Sequence, residues 1–190
     1  MTKSASRDCR IEREINELVV KGLSAEAIGR QIKNKYGKSI KELTGKNLKS
    51  ILGFGKRGFQ AISGAKLVLK LKQDGLLNDW ISMDKLIRTT NWIRILTFVD
   101  VVWRYHHNVK VRSETQKIYS FIRKIVGGEV YVRIRSPHES RESVLAERVW
   151  LLSTTADRKL RRKRLNKWKD IEFRFEFQKC EAETPQLKRV

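Results

Sequence analysis

The sequence contains few cysteines and prolines. Among its 190 residues, Cys9 and Cys180 are the only cysteines, and Pro137 and Pro185 are the only prolines. Two cysteines are too few for a disulfide framework or for a zinc site of known spacing, which indicates an intracellular, reducing compartment. Because no proline precedes residue 137, nothing in that part of the chain interrupts a helical interpretation.

Long apolar runs are also missing. The strongest one, Trp92–Trp103, is interrupted by Arg94 and Asp100 and is about half as long as a membrane-spanning helix needs to be. The N-terminal segment Met1–Arg10 lacks the apolar centre of a secretory signal. We therefore expect no membrane partner and a cytoplasmic location, while an organellar or nuclear address among the basic N-terminal residues stays open.

Acidic residues are outnumbered two to one by basic residues. The chain carries 42 Lys and Arg against 21 Asp and Glu, which gives a formal net charge of +21. Such an excess on a short chain predicts a polyanionic partner, either a phosphate backbone or an anionic surface. Because 40% of the residues are hydrophobic and five are Trp, the chain can bury a core and is not a disordered basic tail.

Apolar residues recur with helical spacing three times between residues 8 and 52. Gly22 and Gly37 follow the first two runs, and Ser24 precedes the second run as a predicted N-cap. Three short helices with tight glycine turns predict a helix-turn-helix-like module over residues 8–52. The apolar positions that define these helices are Ile11, Ile15, Leu18 and Val19, then Ile28, Ile32 and Tyr36, then Leu48, Ile51 and Leu52.

Residues 53–64 contain four glycines together with Lys56 and Arg57. The segment 53–58 formally matches the Gly-x-Gly-x-x-Gly pattern of dinucleotide-binding loops. That pattern has to follow a strand, whereas this segment follows a predicted helix, so a dinucleotide site is rejected. We expect a flexible, Gly-rich basic linker whose two cations contact phosphate.

Residues 65–180 are predicted to form an α+β basic domain, followed by a flexible tail over residues 181–190. Helices are expected over 65–73, after caps at Ser82 and Thr90, and over 113–125. The second of the capped helices should run to about residue 107. The four residues 136–139 read Ser-Pro-His-Glu, a capping box that predicts one more helix start.

Two stretches alternate apolar and polar residues with the period of a β-strand. They cover residues 130–135, which follow Gly127 and Gly128, and residues 171–177. Because a lone strand would leave its backbone unpaired, we expect the two strands to pair antiparallel. The predicted fold class is therefore mainly α, of the α+β type, with a helix-turn-helix-like module and a small two-stranded antiparallel β element.

The densest basic segment of the sequence is Arg158–Lys169, a predicted helix with positive charge nearly all round it. Like charges three and four residues apart destabilise a helix, and phosphates that neutralise them release condensed counterions, which favours binding. A solvated helix face or a localisation signal is the alternative interpretation. Trp168 is predicted to stack on bases at the surface. The cations are Arg158, Lys159, Arg161, Arg162, Lys163, Arg164, Lys167 and Lys169.

Two other groups of residues are candidates for nucleic-acid contact. One face of the first strand carries Tyr131, Arg133 and Arg135, which could hold bases and backbone or could be the outer face of an ordinary amphipathic strand. In the first module, Glu42 is the only acid between residues 27 and 73, so the lysines there are predicted to meet the backbone. These lysines are Lys33, Lys35, Lys38, Lys41, Lys46 and Lys49.

Support in the sequence for catalysis or for a metal site is weak. His106 and His107 are adjacent and should point to different sides of a helix, and His138 stands at a predicted helix start, without Asp or Glu at metal-ligand spacing. Residues 170–174 carry a faint acid-x-basic nuclease pattern without a second placed carboxylate and lysine. We therefore predict no catalytic residue, no cofactor and no metal.

A set of turn and core residues in the first module is shared with a known family. It comprises Lys21-Gly22-Leu23-Ser24, Ile28-Gly29, Ile32, Tyr36-Gly37, Thr44-Gly45, Leu48 and Ile51-Leu52. With these residues, the stretch 18–52 resembles the N-terminal helical extension of the archaeal and eukaryotic form of small-subunit ribosomal protein fifteen. The resemblance implies a helical module packed on ribosomal RNA, and it ends at residue 52.

These features predict a non-enzymatic nucleic-acid-binding protein that holds structured RNA as a ribosomal or ribonucleoprotein component, alongside other subunits of such a particle. The main alternative is a DNA-binding helix-turn-helix regulator or architectural protein, with the strands at 129–135 and 171–177 as a wing. A nuclease or recombination enzyme, and a structural subunit that complements an acidic protein, are less favoured. The sequence leaves the oligomeric state open.

Overall fold

The computed structural model describes residues 2–89, 91–108 and 110–179, with side chains from Arg7 onward. Within these ranges the chain is mainly helical, with ten helices and three strands, which confirms the predicted mainly α, α+β fold class. In the same ranges, no helix is both long enough and apolar enough to cross a membrane. The predicted cap Thr90 and the predicted tail 181–190 lie outside the described residues.

The first four helices are α1 (Thr2–Val20), α2 (Ala25–Tyr36), α3 (Ile40–Thr44) and α4 (Leu48–Leu52). The predicted N-cap of α2 is confirmed, since the Ser24 hydroxyl accepts a hydrogen bond from the Ala27 N–H at 3.3 Å. The predicted apolar stripes of α1 and α2 are also confirmed, because their Ile residues are fully buried. These are Ile11, Ile15, Ile28 and Ile32.

Helix α3 is an addition that the spacing of apolar residues does not predict. It begins because Ser39 and Glu42 form a capping box. The Glu42 carboxylate accepts a hydrogen bond from the Ser39 N–H at 2.6 Å, and the Ser39 hydroxyl accepts one from the Glu42 N–H at 3.3 Å. These two bonds satisfy N–H groups that a helix start leaves free, so a single turn of helix is stable there.

The predicted Gly-rich linker is wrong, because most of it is the first half of helix α5 (Lys56–Gln73). That helix packs along α7 (Trp92–His107). A Cβ atom at Gly64 would overlap the carbonyl oxygen of Arg94 in α7, and one at Gly58 would overlap the ring of Phe54. Gly64 therefore allows α5 and α7 to approach closely, and Gly58 makes room for the Phe54 ring, so neither is a position of chain flexibility.

The central helices follow their predicted ranges closely. The Ser82 hydroxyl caps α6 (Met83–Leu86) by accepting a hydrogen bond from the Lys85 N–H at 3.1 Å. Helix α7 ends at His107 as predicted, and helix α8 (Ser113–Val126) ends one residue beyond its prediction. All eight residues of Ile95–Val102 in α7 are buried, because α5, α8 and the sheet pack around this helix.

The sheet has three antiparallel strands in the described residues, β1 (Ile81–Ser82), β2 (Gly128–Arg135) and β3 (Glu172–Lys179), in the order β1-β3-β2. The predicted pairing of the two long strands is confirmed, and the short β1 adds a third strand to the predicted two. Alternate residues of β2 and β3 are buried as one face of the sheet and join a single hydrophobic cluster that extends back to α1.

Between β2 and β3 lie helix α9 (Glu142–Thr154) and helix α10 (Arg158–Lys167). The predicted helix start at residues 136–139 is wrong, because α9 begins at Glu142. Ser136 and Glu139 instead form an isolated β-bridge, and the Glu139 carboxylate accepts hydrogen bonds from both the N–H and the Nε of Arg141 at 3.0 Å. The capping side chains are thus used to close a turn.

Candidate nucleic-acid interface

Helix α10 projects from the fold with most of its cations in solvent. It follows α9 after a three-residue turn, and the Asp157 carboxylate caps it by accepting hydrogen bonds from the Lys159 and Leu160 N–H groups. Six of the eight cations predicted in this segment are exposed and make no ion pair with the described residues. They are Arg158, Lys159, Arg162, Lys163, Lys167 and Lys169.

Four of these cations, with Asn166, line one shallow concavity of about 400 Å³. Residues four apart lie on the same side of a helix, so the two arginines and the two lysines form neighbouring rows. We call this surface the α10 face. It consists of Arg158, Lys159, Arg162 and Lys163.

The other two cations of the segment hold α10 to its own turn. Arg161 donates hydrogen bonds from Nε and from its terminal nitrogen to the Thr155 carbonyl oxygen at 2.9 and 2.7 Å, and Arg164 donates one to the Thr155 hydroxyl at 2.7 Å. Thr155 is buried, so both guanidiniums are directed toward the protein. The prediction that the helix is positive nearly all round is therefore corrected to one basic side.

Trp168 is not the open stacking platform that the sequence predicts. It is the C-cap residue of α10, is half-buried and packs against the hydrophobic core. The guanidinium of Arg148 lies over its ring at 5.7 Å. The flanking residues Lys167 and Lys169 are exposed, so the tryptophan anchors the end of α10 between two solvated cations.

The polar face of β2 is in place as predicted, but both of its arginines have acidic partners. Arg133 Nε lies 3.2 Å from Glu142 Oε2 of α9, and Arg135 donates to Glu172 Oε2 of β3 at 3.0 Å. The Arg135 guanidinium also lies over the ring of Trp80 at 4.0 Å. The predicted open aromatic-plus-arginine surface is therefore corrected to a set of contacts within the chain.

Tyr131, the aromatic residue of that face, stacks on His106 with ring centroids 4.1 Å apart. His106 Nε2 lies 2.9 Å from the Val130 carbonyl oxygen and 3.1 Å from the Tyr119 hydroxyl, which in turn donates to Glu129 at 2.6 Å. Burial lowers the pKa of His106 and raises the pKa of Tyr119. This network ties α7, α8 and β2 together.

The sequence does not reveal that network, because its members lie in different elements and no local spacing relates them. The expectation that the two adjacent histidines point to different sides is confirmed. His107 stacks on Trp103 with ring centroids 4.3 Å apart and lies 3.5 Å from Glu142, away from the Tyr119 hydroxyl.

The lysines of the first module divide into two groups. Lys35 forms an ion pair with Glu14 of α1 at 2.7 Å, and Lys46 lies 3.8 Å from Glu12. The hydrogen bond from Lys35 lowers the pKa of Glu14 and raises that of the lysine. The remaining four are exposed and make no ion pair within the described ranges, so they stay available to a polyanion. They are Lys33, Lys38, Lys41 and Lys49.

The two cations at the start of α5 also have different neighbours. Lys56 is exposed, whereas Arg57 forms an ion pair with Asp100, a carboxylate that is 4% exposed and also accepts a hydrogen bond from Arg104 at 2.8 Å. A buried carboxylate requires such partners. Arg57 is therefore engaged by a buried carboxylate of α7, and its predicted contact with phosphate is corrected.

The acids of the faint nuclease pattern are paired separately. Asp170 lies 3.0 Å from His138, and Glu172 holds Arg135. Among the side chains that the structure describes, no group of three or more His, Cys, Asp or Glu is arranged to hold a metal ion.

No family model, curated protein or solved structure matches the chain. The resemblance of residues 18–52 to the ribosomal extension therefore stays a prediction, and the function has to be argued from the geometry of the basic surfaces.

Proposed function

We propose that this protein binds the phosphate backbone of nucleic acid through the α10 face, with structured RNA as the favoured partner. The observation that carries the proposal is that four cations on two turns of one helix form no ion pair with the acidic residues that the structure describes. A nucleic acid carries cations condensed along its phosphates. Unpaired Lys and Arg side chains at this density neutralise the phosphates in their place, and the release of the condensed cations favours binding. RNA is favoured over DNA by the resemblance of residues 18–52 to a ribosomal extension.

Binding to duplex DNA is the second candidate, and the α9–α10 hairpin supports it. The two helices are joined by three residues, which is the turn length of helix-turn-helix motifs. In those motifs the N-terminal residues of the second helix contact the bases, and the α10 face occupies the same part of α10. The α9–α10 hairpin lies in a different part of the chain from the helix-turn-helix-like module that the sequence predicts at residues 8–52.

A catalytic role is not proposed. The acids at residues 170 and 172 are engaged with two different basic side chains, and neither carboxylate shares a partner with the other.

Fluorescence anisotropy with a structured RNA and a DNA duplex of equal length tests the proposal. Four phosphate contacts predict about a hundredfold loss of affinity between roughly 50 and 200 mM salt. The RNA should bind more tightly than the DNA. If neither polymer binds more tightly as the salt concentration falls, the proposal is wrong.

A variant that replaces the whole α10 face with glutamine should lose most of that salt dependence. Its matched control removes the same charge from four exposed cations outside α10, and it should keep the salt dependence of the wild type. The test substitutions are R158Q, K159Q, R162Q and K163Q, and the control substitutions are K70Q, K85Q, K110Q and R112Q.

A further inference from the structure

A cavity of about 510 Å³ lies where α2, α4 and α5 meet. Its lining includes the loops that precede α2 and α5, together with one residue of α7. The apolar part of the lining comprises Leu23, Leu48, Phe54, Phe59 and Ile62, and the charged part comprises Glu26, Lys49, Lys56 and Arg94. The volume is in the range of pockets that hold a small molecule or one chemical group of a larger one.

The cations of this cavity form no ion pair with the acidic residues in the described part of the chain. Lys49 and Lys56 are exposed and make no ion pair among the described residues. Among the described side chains, Arg94 donates its hydrogen bond to the Ser63 hydroxyl, at 3.1 Å, and forms no ion pair. Glu26, the one acid in the lining, makes no ion pair with any of them. The lining thus carries three positive charges against one negative charge, and an anionic group would complement it.

The inner part of the cavity is aromatic. Phe54 is fully buried, and Phe59 packs edge-on against it with ring centroids 5.6 Å apart. Phe59 is only half-buried and lines the cavity together with Leu48. A flat apolar group would bury its surface against these side chains. The cavity therefore suits a ligand that combines a flat apolar body with an anionic group.

A nucleotide has this combination, with the base and the phosphate a few ångströms apart. We propose that the cavity accepts one unpaired nucleotide of a bound RNA, with the base against Phe59 and the phosphate near Lys49, Lys56 and Arg94. The inference rests on the proposed function and makes it more specific. Because an unpaired base can leave the stack and a paired base cannot do so without cost, the protein should prefer RNA with a bulge to a perfect duplex.

Three RNA hairpins of equal length test the inference. One has a perfect stem, one has a single-nucleotide bulge, and one has an abasic site at the bulge. Stacking of one base predicts about tenfold tighter binding of the bulged hairpin than of the other two. The abasic hairpin separates recognition of the base from a preference for a bent backbone.

Two variants change the cavity in different ways. F59L keeps an apolar side chain but removes the ring, and A25F fills the cavity from the first residue of α2. Each should reduce the preference for the bulge to about twofold or less while leaving affinity for the perfect stem unchanged. Thermal unfolding of both variants would check that each of them is folded. The α10-face variant is the matched control, and it should weaken binding of all three hairpins by the same factor.

The outcomes separate the inference from the proposed function. If the wild type binds all three hairpins equally and with steep salt dependence, the inference is wrong and the proposed function stands. A bulge preference that survives at the abasic site, or in both F59L and A25F, also overturns the inference. If no hairpin binds, both the inference and the proposed function are wrong.

Discussion

Helix α10 and strand β2 are both predicted from the sequence to be basic contact surfaces, and the fold gives their cations different neighbours. On α10, Arg158 and Arg162 are exposed and form no ion pair with the carboxylates that the structure describes. On β2, Arg133 and Arg135 lie against Glu142 and Glu172. The number of basic residues in a segment therefore does not decide whether they are available to a polyanion. That is decided by the acidic side chains that the fold places next to them.

The largest expected effect comes from removing two arginines on each side of this comparison. At roughly 0.1 M salt, the loss of two phosphate contacts should weaken RNA binding about fiftyfold in R158Q/R162Q and lower the salt slope by about 1.8. The matched variant R133Q/R135Q should change the affinity by about threefold or less, because each arginine already lies within 3.2 Å of a carboxylate that competes with phosphate. Anisotropy titrations at several salt concentrations measure both. Equal losses in the two variants would contradict the assignment of α10 as the contact surface.

A second experiment makes β2 resemble α10 by removing its acids. In E142Q/E172Q, Arg133 and Arg135 lose their carboxylate partners and become available to phosphate. We expect RNA affinity to increase about fivefold at low salt. The salt dependence of binding should become steeper by about the amount that one phosphate contact contributes. A matched variant removes two acids that form no ion pair with the described residues, E17Q/E114Q, and it should bind almost as the wild type does once its smaller negative charge is taken into account. Glu17 and Glu114 are both exposed.

A third experiment applies the comparison to adjacent residues of α10. Arg161 holds the Thr155 carbonyl, so R161Q should lower the free energy of unfolding by about 1 kcal/mol. Arg162 has no such partner among the residues that the structure describes, so R162Q should leave stability unchanged and lower the salt slope of binding by about 1. Chemical denaturation and anisotropy, run on both variants, distinguish the two roles. If R161Q lowered the salt slope and left stability unchanged, Arg161 would face the nucleic acid, and the assignment of the exposed side of α10 would be wrong.

The smallest expected effect is a pH dependence of the free energy of unfolding, which arises from His106, the residue that stacks on Tyr131 of β2. Burial lowers the pKa of His106 in the folded protein, so the unfolded chain binds a proton there at higher pH than the folded protein does. The free energy of unfolding should therefore decrease as the pH falls through about 6.5. Urea denaturation at about pH 7.5 and pH 5.5 should show a smaller decrease in H106Q than in the wild type. The α10-face variant is the control and should follow the wild type.

Most of the helices are predictable from the sequence because their signals are local. The Ser24 cap, the stripe at Ile11 and Ile15 and the alternation in β2 all depend on residues within a few positions of one another. Two local patterns mislead. The glycines at 58 and 64 look like a linker because the sequence does not show that the Phe54 ring packs against the first and the α7 backbone against the second. The residues at 136–139 satisfy a capping pattern while closing a turn.

The candidate site is less predictable than the helices. The lysines and arginines of the α10 face are visible as a basic run, but the sequence does not separate them from Arg161 and Arg164, which turn toward Thr155. The nucleotide cavity is not visible at all, because Leu23, Lys49, Phe59 and Arg94 come from four separate parts of the chain. A pattern search along the sequence does not relate them.

The sequence by itself determined the class of fold, the positions of most helices and the large positive charge. Those properties follow from composition and from periodicities that act over a few residues. Only the tertiary structure decided which cations remain available, because Arg57 meets Asp100 across 43 positions and Arg135 meets Glu172 across 37. Ion pairs form between side chains that are close in space, and the packing of α5 on α7 and of β2 on β3 brings these pairs together. What remains outside those pairs on α10 is the surface that we propose for nucleic acid.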